Sequence, residues 1–174
     1  GKTSFHASII ASPNGFAHQG AKCVILCNEE GYHRVGARYL TAATGMTVQE
    51  VKNNPVQAQT RYKPVFDNIK IRDASNAIHA RQIAKTYECA VFYMSQLSAE
   101  AEGKVVLNQA MMEGSRTGKA AEADLMVLIA KNPQVEGQEE EDVQRHLNIV
   151  KNKLSGWHGT VHCELDYKTA RYTA

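Results

Sequence analysis

The chain has 174 residues, 43% of them hydrophobic, and a formal net charge of +2. A chain of this length and composition can bury a core of its own, so we predict a single globular domain. The same values exclude collagen-like and disordered chains, and the apolar runs are too short to cross a bilayer. The small net charge does not by itself indicate nucleic acid binding, so any basic surface must be local.

Cysteine usage and the first residues bear on the cellular compartment. The chain opens with Gly-Lys-Thr-Ser rather than with an apolar leader, so no signal peptide is predicted. The cysteines include no Cys-x-x-Cys pair, and we expect reduced, mostly buried thiols in a cytoplasmic protein. They are Cys23, Cys27, Cys89 and Cys163.

The first part of the chain alternates between helix and strand signals. Residues 3–12 are predicted as a helix, residues 23–27 as a short buried strand, and residues 30–43 as a helix with one apolar face. Thr47 followed by Glu50 has the spacing of a capping box, which predicts another helix start.

Later segments are richer in strands. Residues 68–73 alternate and predict a strand, and residues 77–88 predict a helix. Further strands are predicted at residues 90–95, 125–130, 147–151 and 160–167, with a turn at 155–159. This order predicts an α/β fold with a mainly parallel sheet, helices on both faces, and antiparallel strands at the C-terminal end. Residues 99–118 and the acidic residues 133–142 are expected to be mobile.

The first four residues carry the strongest chemical signal. Gly1-Lys2-Thr3-Ser4 is the tail of the phosphate-loop motif Gly-x-x-x-x-Gly-Lys-[Ser/Thr], and a predicted helix follows at once. In that motif, backbone N–H groups at the helix start bind phosphates, the lysine reaches the β- and γ-phosphates, and the hydroxyl binds Mg²⁺. A bare Gly-Lys-Thr often occurs by chance, so its weight comes from its position before a helix and a buried strand.

Polar residues follow two of the predicted strands. Glu29 and Glu30 follow the strand at 23–27, where a carboxylate can polarise the water that attacks a γ-phosphate. They can equally be an acidic pair that begins a helix. Gln96 follows the strand at 90–95, where it can sense a γ-phosphate or be an ordinary polar strand end.

Two lysines near the C-terminus form a third candidate. Lys151 and Lys153 are spaced by two residues on a predicted strand, so their side chains are predicted to point to the same side. They can reach the nucleotide of a neighbouring subunit as a finger, or protect an exposed edge strand against aggregation.

In their order along the chain, these motifs resemble the C-terminal ATPase motor of DnaB-like (superfamily 4) replicative helicases, and especially that of the phage primase–helicases. The similar segments are the Walker A tail 1–4, the second-strand motif 24–30, the Ser-Gln-Leu motif 95–97, the DNA-loop motif 114–125 and the finger block 149–161.

The resemblance implies a RecA-like P-loop NTPase domain over residues 1–174 that hydrolyses ATP, or another NTP, with Mg²⁺. By resemblance, Glu29 is the catalytic base, with Glu30 as the second choice, and Gln96 couples the γ-phosphate to the DNA loops. Lys153, with Lys151, supplies the finger in trans. The implied nucleotide ligands are Gly1, Lys2, Thr3 (also on Mg²⁺), Ser4, Lys131 and Tyr167.

The same resemblance implies partners. They are single-stranded DNA at the replication fork, further copies of the chain in a hexameric ring, primase and DNA polymerase, in the cytoplasm of a bacterium or a phage-infected cell. No membrane contact is expected. The implied DNA ligands are Lys104, Ser115, Arg116 and Lys119.

Two departures from the family pattern leave alternatives open. The finger position holds Lys153 where the family has Arg, and Lys lacks the planar fork. In addition, no predicted strand ends in a Walker B aspartate, since Asp73 has a poor hydrophobic lead-in. We therefore expect a domain truncated at the N-terminus that lacks a block near residue 76. A RecA-like ATPase or recombinase that does not unwind DNA, and a degenerate ATPase, are the competing interpretations.

Overall fold

The computed structural model of the protein describes residues 2–27, 31–73, 80–112, 123–133 and 142–174. The chain divides into two units, one formed by Gly1–Ala77 with Leu165–Thr173 and the other by Ile78–Glu164 with Ala174.

The helices are α1 (Lys2–Ala11), α2 (Tyr32–Thr44), α3 (Val48–Asn53), α4 (Pro55–Phe66) and α5 (Ala80–Tyr87), with 3-10 helices at Ala99–Ala101 and Gln109–Met111. The strands are β1 (Cys23–Cys27), β2 (Ile69–Asp73), β3 (Leu125–Lys131), β4 (Gln144–Asn152), β5 (Gly159–Asp166) and β6 (Arg171–Thr173). The mixed α/β class is confirmed.

The strands form a parallel pair, β1-β2, and an antiparallel sheet in the order β3-β4-β5-β6. The antiparallel C-terminal end is therefore as predicted. A mainly parallel sheet is not what the described strands form, because four of the six lie in the antiparallel sheet. None of the helices in the described ranges is long and apolar enough to span a membrane.

The two faces of β1 differ in burial. Ile25 and Cys27 belong to the core of the first unit, whereas Val24 and Leu26 are 64% and 41% exposed. Side chains alternate between the faces of a strand, so one face of β1 is covered and the other is open. The prediction of helices on both faces is therefore wrong for the part of this unit that the structure describes.

The core of the first unit combines small residues with one large ring. Ala7 and Ala11 lie one helical turn apart on α1, and both are fully buried, as is Tyr39 of α2. All three belong to one apolar cluster with Val65 of α4. The small side chains of α1 leave room for the ring of Tyr39. Close packing therefore holds α1 in place, although the helix has little amphipathic character.

Two arginines bind the C-terminal end of α2. The helix ends at Gly45, which has a φ of 67°. Arg171 Nε donates to the carbonyl of Ala42 at 2.8 Å, and Arg61 Nη1 donates to that of Thr44 at 3.1 Å. The last carbonyls of a helix lack intrahelical partners and carry partial negative charge, so guanidinium groups satisfy and stabilise them.

The capping box predicted at the start of α3 is confirmed. The hydroxyl of Thr47 accepts from Glu50 N at 3.2 Å, and the carboxylate of Glu50 accepts from Thr47 N at 2.7 Å. These backbone and side-chain hydrogen bonds lower the pKa of Glu50. Local sequence alone was enough here, because both partners lie within one helical turn.

In the second unit, residues 97–112 pack against the antiparallel sheet. Leu107 and Met111 are buried with Leu128 and Ala130 of β3 in a separate apolar cluster. Asn148 of β4 donates to the carbonyl of Val105 at 3.0 Å. The expectation of a mobile loop over residues 99–118 is therefore wrong for its first part, where buried side chains fix the segment on the sheet.

Residues 90–95 form no strand, contrary to the prediction. They have no regular secondary structure, and Phe92 and Tyr93 are 47% and 55% exposed. The first ladder contact after them is an isolated bridge between Leu97 and Met112. An apolar run becomes a strand only beside another strand that satisfies its backbone groups, and the described sheets have the orders β1-β2 and β3-β4-β5-β6.

Candidate nucleotide and DNA site

The residues predicted to bind phosphate form the first turn of α1. The helix begins at Lys2, whose side chain is exposed, while Thr3 and Ser4 are half-buried. The N–H groups of a first helical turn have no intrahelical acceptor, and the helix dipole favours negative charge there. Lys2, Thr3 and Ser4 thus bring an ammonium group, two hydroxyls and backbone donors together at one helix end. Gly1 lies outside the described residues.

Contacts further along α1 hold this turn in place. The Tyr39 hydroxyl and His6 Nδ1 are hydrogen-bonded at 2.7 Å. Ser8 Oγ accepts from Tyr172 N at 3.0 Å, and the ring of Phe5 packs edge-on against Tyr172 with centroids 5.2 Å apart. A helix fixed by α2 on one part of its surface and by β6 on another is a rigid support for a phosphate site.

Burial shifts the pKa values of the pair formed by His6 and Tyr39. Desolvation lowers the pKa of His6 to about 4, so its imidazole is neutral at neutral pH. Desolvation also raises the pKa of Tyr39, and the thiols of Cys27 and Cys23 add to that shift. Two neutral groups joined by a hydrogen bond suit a buried site between helices, and neither is poised for acid–base chemistry near pH 7.

The carboxyl ends of β1 and β2 lie at the same edge of the parallel pair. Cys27, the last residue of β1, is in register with Asp73, the last residue of β2. The carboxyl end of parallel strands is where ligands bind in α/β sheets. Glu29 follows β1 by two residues but, like Glu30, lies outside the described residues.

Asp73 is a candidate that its local sequence does not favour. Its lead-in, Ile69-Lys70-Ile71-Arg72, alternates and does not look like a buried Walker B strand. The structure nevertheless forms β2 there and ends it at Asp73, beside the end of β1. The parallel register is the signal that identifies the position, and it cannot be read from local sequence.

Gln96 is exposed and lies outside any strand, one residue before the bridge between Leu97 and Met112. The N–H of Ser98 also donates to the carbonyl of Met111 at 2.8 Å. The Ser-Gln-Leu segment is therefore tied by backbone contacts to the residues that lead into the predicted DNA loop. The loop ligands Ser115, Arg116 and Lys119 lie outside the described residues.

The remaining predicted DNA ligand, Lys104, lies between the two 3-10 helices and is exposed. Its neighbours in the chain are held on the sheet by the hydrogen bond from Asn148 to Val105. Lys104 can therefore contact a phosphate from a fixed position on the surface, without the flexible loop that the sequence suggested.

The two finger candidates differ in their surroundings. Lys151 is half-buried within β4, whereas Lys153 follows the strand and lies in the turn after it. Lys153 Nζ forms an ion pair with Asp124 Oδ1 at 3.2 Å. Only Lys151 therefore lies on the strand that was predicted to carry both lysines, because β4 ends at Asn152.

Lys131 and Tyr167, the predicted ligands of the nucleotide base, each end a strand. Lys131 is the last residue of β3, is exposed, and is in register with Arg145. Tyr167 directly follows β5 and is 40% exposed. Both side chains can therefore reach a ligand, but a strand-end lysine and an edge tyrosine are also ordinary surface features.

The described residues fit a magnesium–nucleotide complex in their chemistry. Mg²⁺ prefers oxygen ligands and usually combines one or two protein groups with phosphates and water. Thr3 offers a hydroxyl, and the chain places Asp73 at the ligand edge of the same unit. Within the described ranges, no group of three or more His, Cys, Asp or Glu could hold a metal ion. Phosphates and water would therefore have to supply the other magnesium ligands.

The fold matches solved helicase ATPase domains. One solved structure, described as an ATPase domain, aligns with a TM-score of 0.73 at 14% identity, covering 98% of this chain and 79% of that one. A DnaB-like replicative helicase, solved in a study of its interactions with primase, aligns with a TM-score of 0.74 at 14% identity. That match covers 98% of this chain and 55% of the helicase, so the chain spans about half its length.

The chain therefore shares its fold with an ATPase domain and with part of a DnaB-like replicative helicase, and the resemblance drawn from the motifs is confirmed at the level of the fold. No family model matches the sequence. No curated protein sequence matches it either.

Proposed function

We propose that this chain is the RecA-like, ATP-hydrolysing motor of a ring-shaped replicative DNA helicase, which moves along single-stranded DNA and unwinds duplex at the fork. One observation carries the proposal. The phosphate-loop tail runs directly into α1, which begins at Lys2, in a chain whose fold matches helicase ATPase domains over 98% of its length. Fold alone does not imply function, so the motif at the helix start is what makes the fold an argument for ATP hydrolysis.

On this proposal, Lys2 and the first turn of α1 bind the β- and γ-phosphates, with Thr3 on Mg²⁺. The ion supplies charge neutralisation for phosphoryl transfer. Glu29 accepts a proton from the attacking water, because it follows the carboxyl end of β1. Asp73 ends the adjacent parallel strand and is a candidate for holding the magnesium shell.

Adjacent subunits complete the site. We propose that Lys153, with Lys151, reaches the nucleotide of the neighbouring subunit in a hexamer and stabilises the charge that develops on the γ-phosphate. Lys131 and Tyr167 contact the base. Lysine carries the charge that the finger needs but lacks the bidentate geometry of arginine, so a slower motor than an arginine-fingered one is expected.

Backbone contacts support a proposed coupling of hydrolysis to DNA. Gln96, the proposed γ-phosphate sensor, precedes Leu97, which forms a bridge with Met112. The N–H of Ser98 donates to the carbonyl of Met111, so both contacts reach residues that precede the proposed DNA loop. Loss of the γ-phosphate at Gln96 would then shift the loop that grips the strand. The proposed grip on DNA phosphates uses Lys104, Ser115, Arg116 and Lys119.

The test compares the complete protein with its Lys2→Ala variant in ATP hydrolysis and in unwinding of a forked DNA. Lys63→Ala is the matched control, because Lys63 is an exposed lysine of the same unit on α4. We expect Lys2→Ala to abolish hydrolysis that single-stranded DNA stimulates, and to abolish unwinding, while Lys63→Ala keeps both. On the same resemblance, primase and DNA polymerase are proposed as partners.

Two outcomes would replace the proposal. Hydrolysis stimulated by single strands without strand displacement would indicate a RecA-like ATPase or recombinase that assembles on DNA. ATP turnover that is the same in Lys2→Ala as in the unchanged protein would indicate a degenerate ATPase that keeps only its contacts in the ring.

A further inference from the structure

Two histidines face each other across the antiparallel sheet of the second unit. His146 of β4 is in register with His162 of β5. Their Nδ1 atoms lie 2.9 Å apart, and their rings are nearly perpendicular at 89°. His162 is exposed and His146 is half-buried, so solvent reaches the pair. Distant in the chain, the two histidines are brought together only by the strand register.

A third residue orients one of the rings. His146 Nε2 lies 2.8 Å from Asn132 Oδ1, and this oxygen can only accept, so Nε2 carries the proton and donates. When His146 is neutral, its Nδ1 therefore carries a lone pair. The contact between the two rings is then a hydrogen bond that Nδ1–H of His162 donates to Nδ1 of His146. Asn132 is itself fixed, because its N–H donates to Asp142 Oδ2 at 3.2 Å.

We propose that His146 and His162 form a bidentate binding site for a divalent transition-metal ion, with Zn²⁺ and Cu²⁺ as the ions that suit it. Imidazole nitrogens are ligands for both ions. An imidazole that donates its other N–H to an oxygen is the usual arrangement of a metal-binding histidine, since this fixes the ring and its tautomer. Asn132 does this for His146.

The distances allow the site with little movement. Zn–N bonds of about 2.0–2.1 Å at a tetrahedral angle place two ligand nitrogens about 3.3 Å apart. The present separation of 2.9 Å therefore needs to open by only a few tenths of an ångström. When the ion binds, the proton on His162 Nδ1 moves through solvent to Nε2 of the same exposed ring, so that both imidazoles stay neutral and the lone pairs of both Nδ1 atoms are directed to one centre.

Two carboxylates lie close to the histidine pair. Glu164 is in register with Gln144, two residues from the histidine pair on the same face, and its carboxylate accepts from Gln144 Nε2 at 2.8 Å. Asp142 adds a second carboxylate near His146, and the guanidinium of Arg145 adds a positive charge that opposes it. Since the described residues offer only two nitrogen ligands here, water completes the shell, and we expect weaker binding than at a closed structural zinc site.

The test uses the complete protein without any affinity tag, titrated with ZnCl₂ by calorimetry and with CuSO₄ followed by electron paramagnetic resonance. One ion per chain and nitrogen hyperfine structure from two imidazoles are expected. His146→Asn and His162→Asn should each abolish this binding. Asn132→Ala should weaken it about tenfold, the effect typical of losing an orienting group. His158→Asn is the control, because it removes an exposed histidine from the same hairpin.

Circular dichroism of each metal-free variant separates loss of ligand from loss of fold. Binding that survives in the variant lacking both His146 and His162 would overturn the proposal. So would a copper spectrum without imidazole nitrogen in a folded, unchanged protein. The test does not depend on ATP hydrolysis, so its result is independent of the helicase proposal.

Discussion

Lys153 is joined to Asp124 twice. Its backbone N–H donates to the carbonyl of Asp124 at 2.8 Å, and its ammonium group forms an ion pair with Asp124 Oδ1 at 3.2 Å. Asp124 immediately precedes β3 and lies in the Ala-Asp-Leu motif that follows the proposed DNA loop. The proposed finger is thus bonded to the segment that follows the proposed DNA loop. If both proposals hold, DNA binding can act on the finger through Asp124.

The proposed finger role of Lys153 predicts that its removal slows ATP hydrolysis with little effect on stability. Lys153→Ala should lower ATP turnover about 10³-fold, the lower end of the effect of a charged finger. Stability should change by less than about 1 kcal/mol, because the two side chains are 52% and 70% exposed and such pairs contribute little. The measurement is steady-state hydrolysis with single-stranded DNA, with urea unfolding as the control for stability.

A mixture of Lys153→Ala and Lys2→Ala subunits sharpens the test. Lys153→Ala subunits keep the phosphate loop, and Lys2→Ala subunits keep the finger. An interface to which the first contributes its phosphate loop and the second its finger has a complete site. Such interfaces make up about a quarter of those in a randomly mixed ring. Activity should therefore return on mixing. A mixture no more active than either variant alone would refute a finger in trans. Activity that returns when Lys151→Ala, rather than Lys153→Ala, is mixed with Lys2→Ala would assign the role to Lys151.

Lys104 provides a prediction about DNA. If it contacts a phosphate, Lys104→Ala should weaken single-strand binding and reduce the slope of log K against log salt by about 0.7 per lost contact. Lys85→Ala is the control, because Lys85 is an exposed lysine of α5 in the same unit. Fluorescence anisotropy at several salt concentrations measures the slope. Equal slopes for Lys104→Ala and the unchanged protein would remove Lys104 from the DNA site.

Local sequence predicted the elements whose signals lie within a few residues. The apolar run of β1, the alternation of β2 and the capping box of α3 all formed as predicted. It did not predict α4, where Pro64 lies inside the helix near its end and signals a break. It also predicted a strand at 90–95, which has no regular secondary structure in the described chain. In both cases tertiary context overrides the local signal.

The candidate site likewise contains residues that local sequence predicts and residues whose positions depend on strand pairing. The proposed phosphate-binding turn can be predicted from the sequence because its residues are consecutive, from Lys2 to Ser4. The position of Asp73 beside the end of β1, and the pair formed by His146 and His162, depend on strand register. Register depends on how two strands pair, so the pattern within either strand alone does not give it.

A pair of glycines tests the arginine contact at the end of α2. Gly45 and Gly103 have nearly equal φ angles of 67° and 69°. A Cβ on Gly45 would lie 2.8 Å from Arg171 Nη1, whereas a Cβ on Gly103 would meet nothing within 4 Å. Gly103→Ala should cost about 1 kcal/mol for the left-handed backbone alone. Gly45→Ala should cost about 2–4 kcal/mol, because the guanidinium must also leave the carbonyls of α2.

Urea unfolding followed by circular dichroism measures both glycine variants. Arg171→Lys should remove most of the difference between them, since a flexible ammonium group can move away from an added methyl group. Equal losses of stability in Gly45→Ala and Gly103→Ala would show that the arginine contact does not hold the helix end.

The buried pair of His6 and Tyr39 predicts a pH dependence. Desolvation lowers the pKa of His6 to about 4 in the folded protein, and the unfolded value is 6.5. Between these values the unfolded chain binds a proton that the folded chain does not, so stability falls as the pH drops from 6.5 toward 4 and is fully present above 6.5. At about 1.4 kcal/mol per pKa unit, the loss is on the order of 3 kcal/mol.

The His6→Asn variant separates this effect from the titration of carboxylates, because asparagine keeps a hydrogen-bonding group for Tyr39 but does not ionise. Its unfolding free energy, measured by urea titration at pH 7 and pH 5, should fall by less than that of the unchanged protein. The exposed His158→Asn variant should keep the full dependence. If His6→Asn and the unchanged protein lose the same stability over this range, His6 is not held neutral by burial, and the support of α1 by α2 does not depend on an uncharged imidazole.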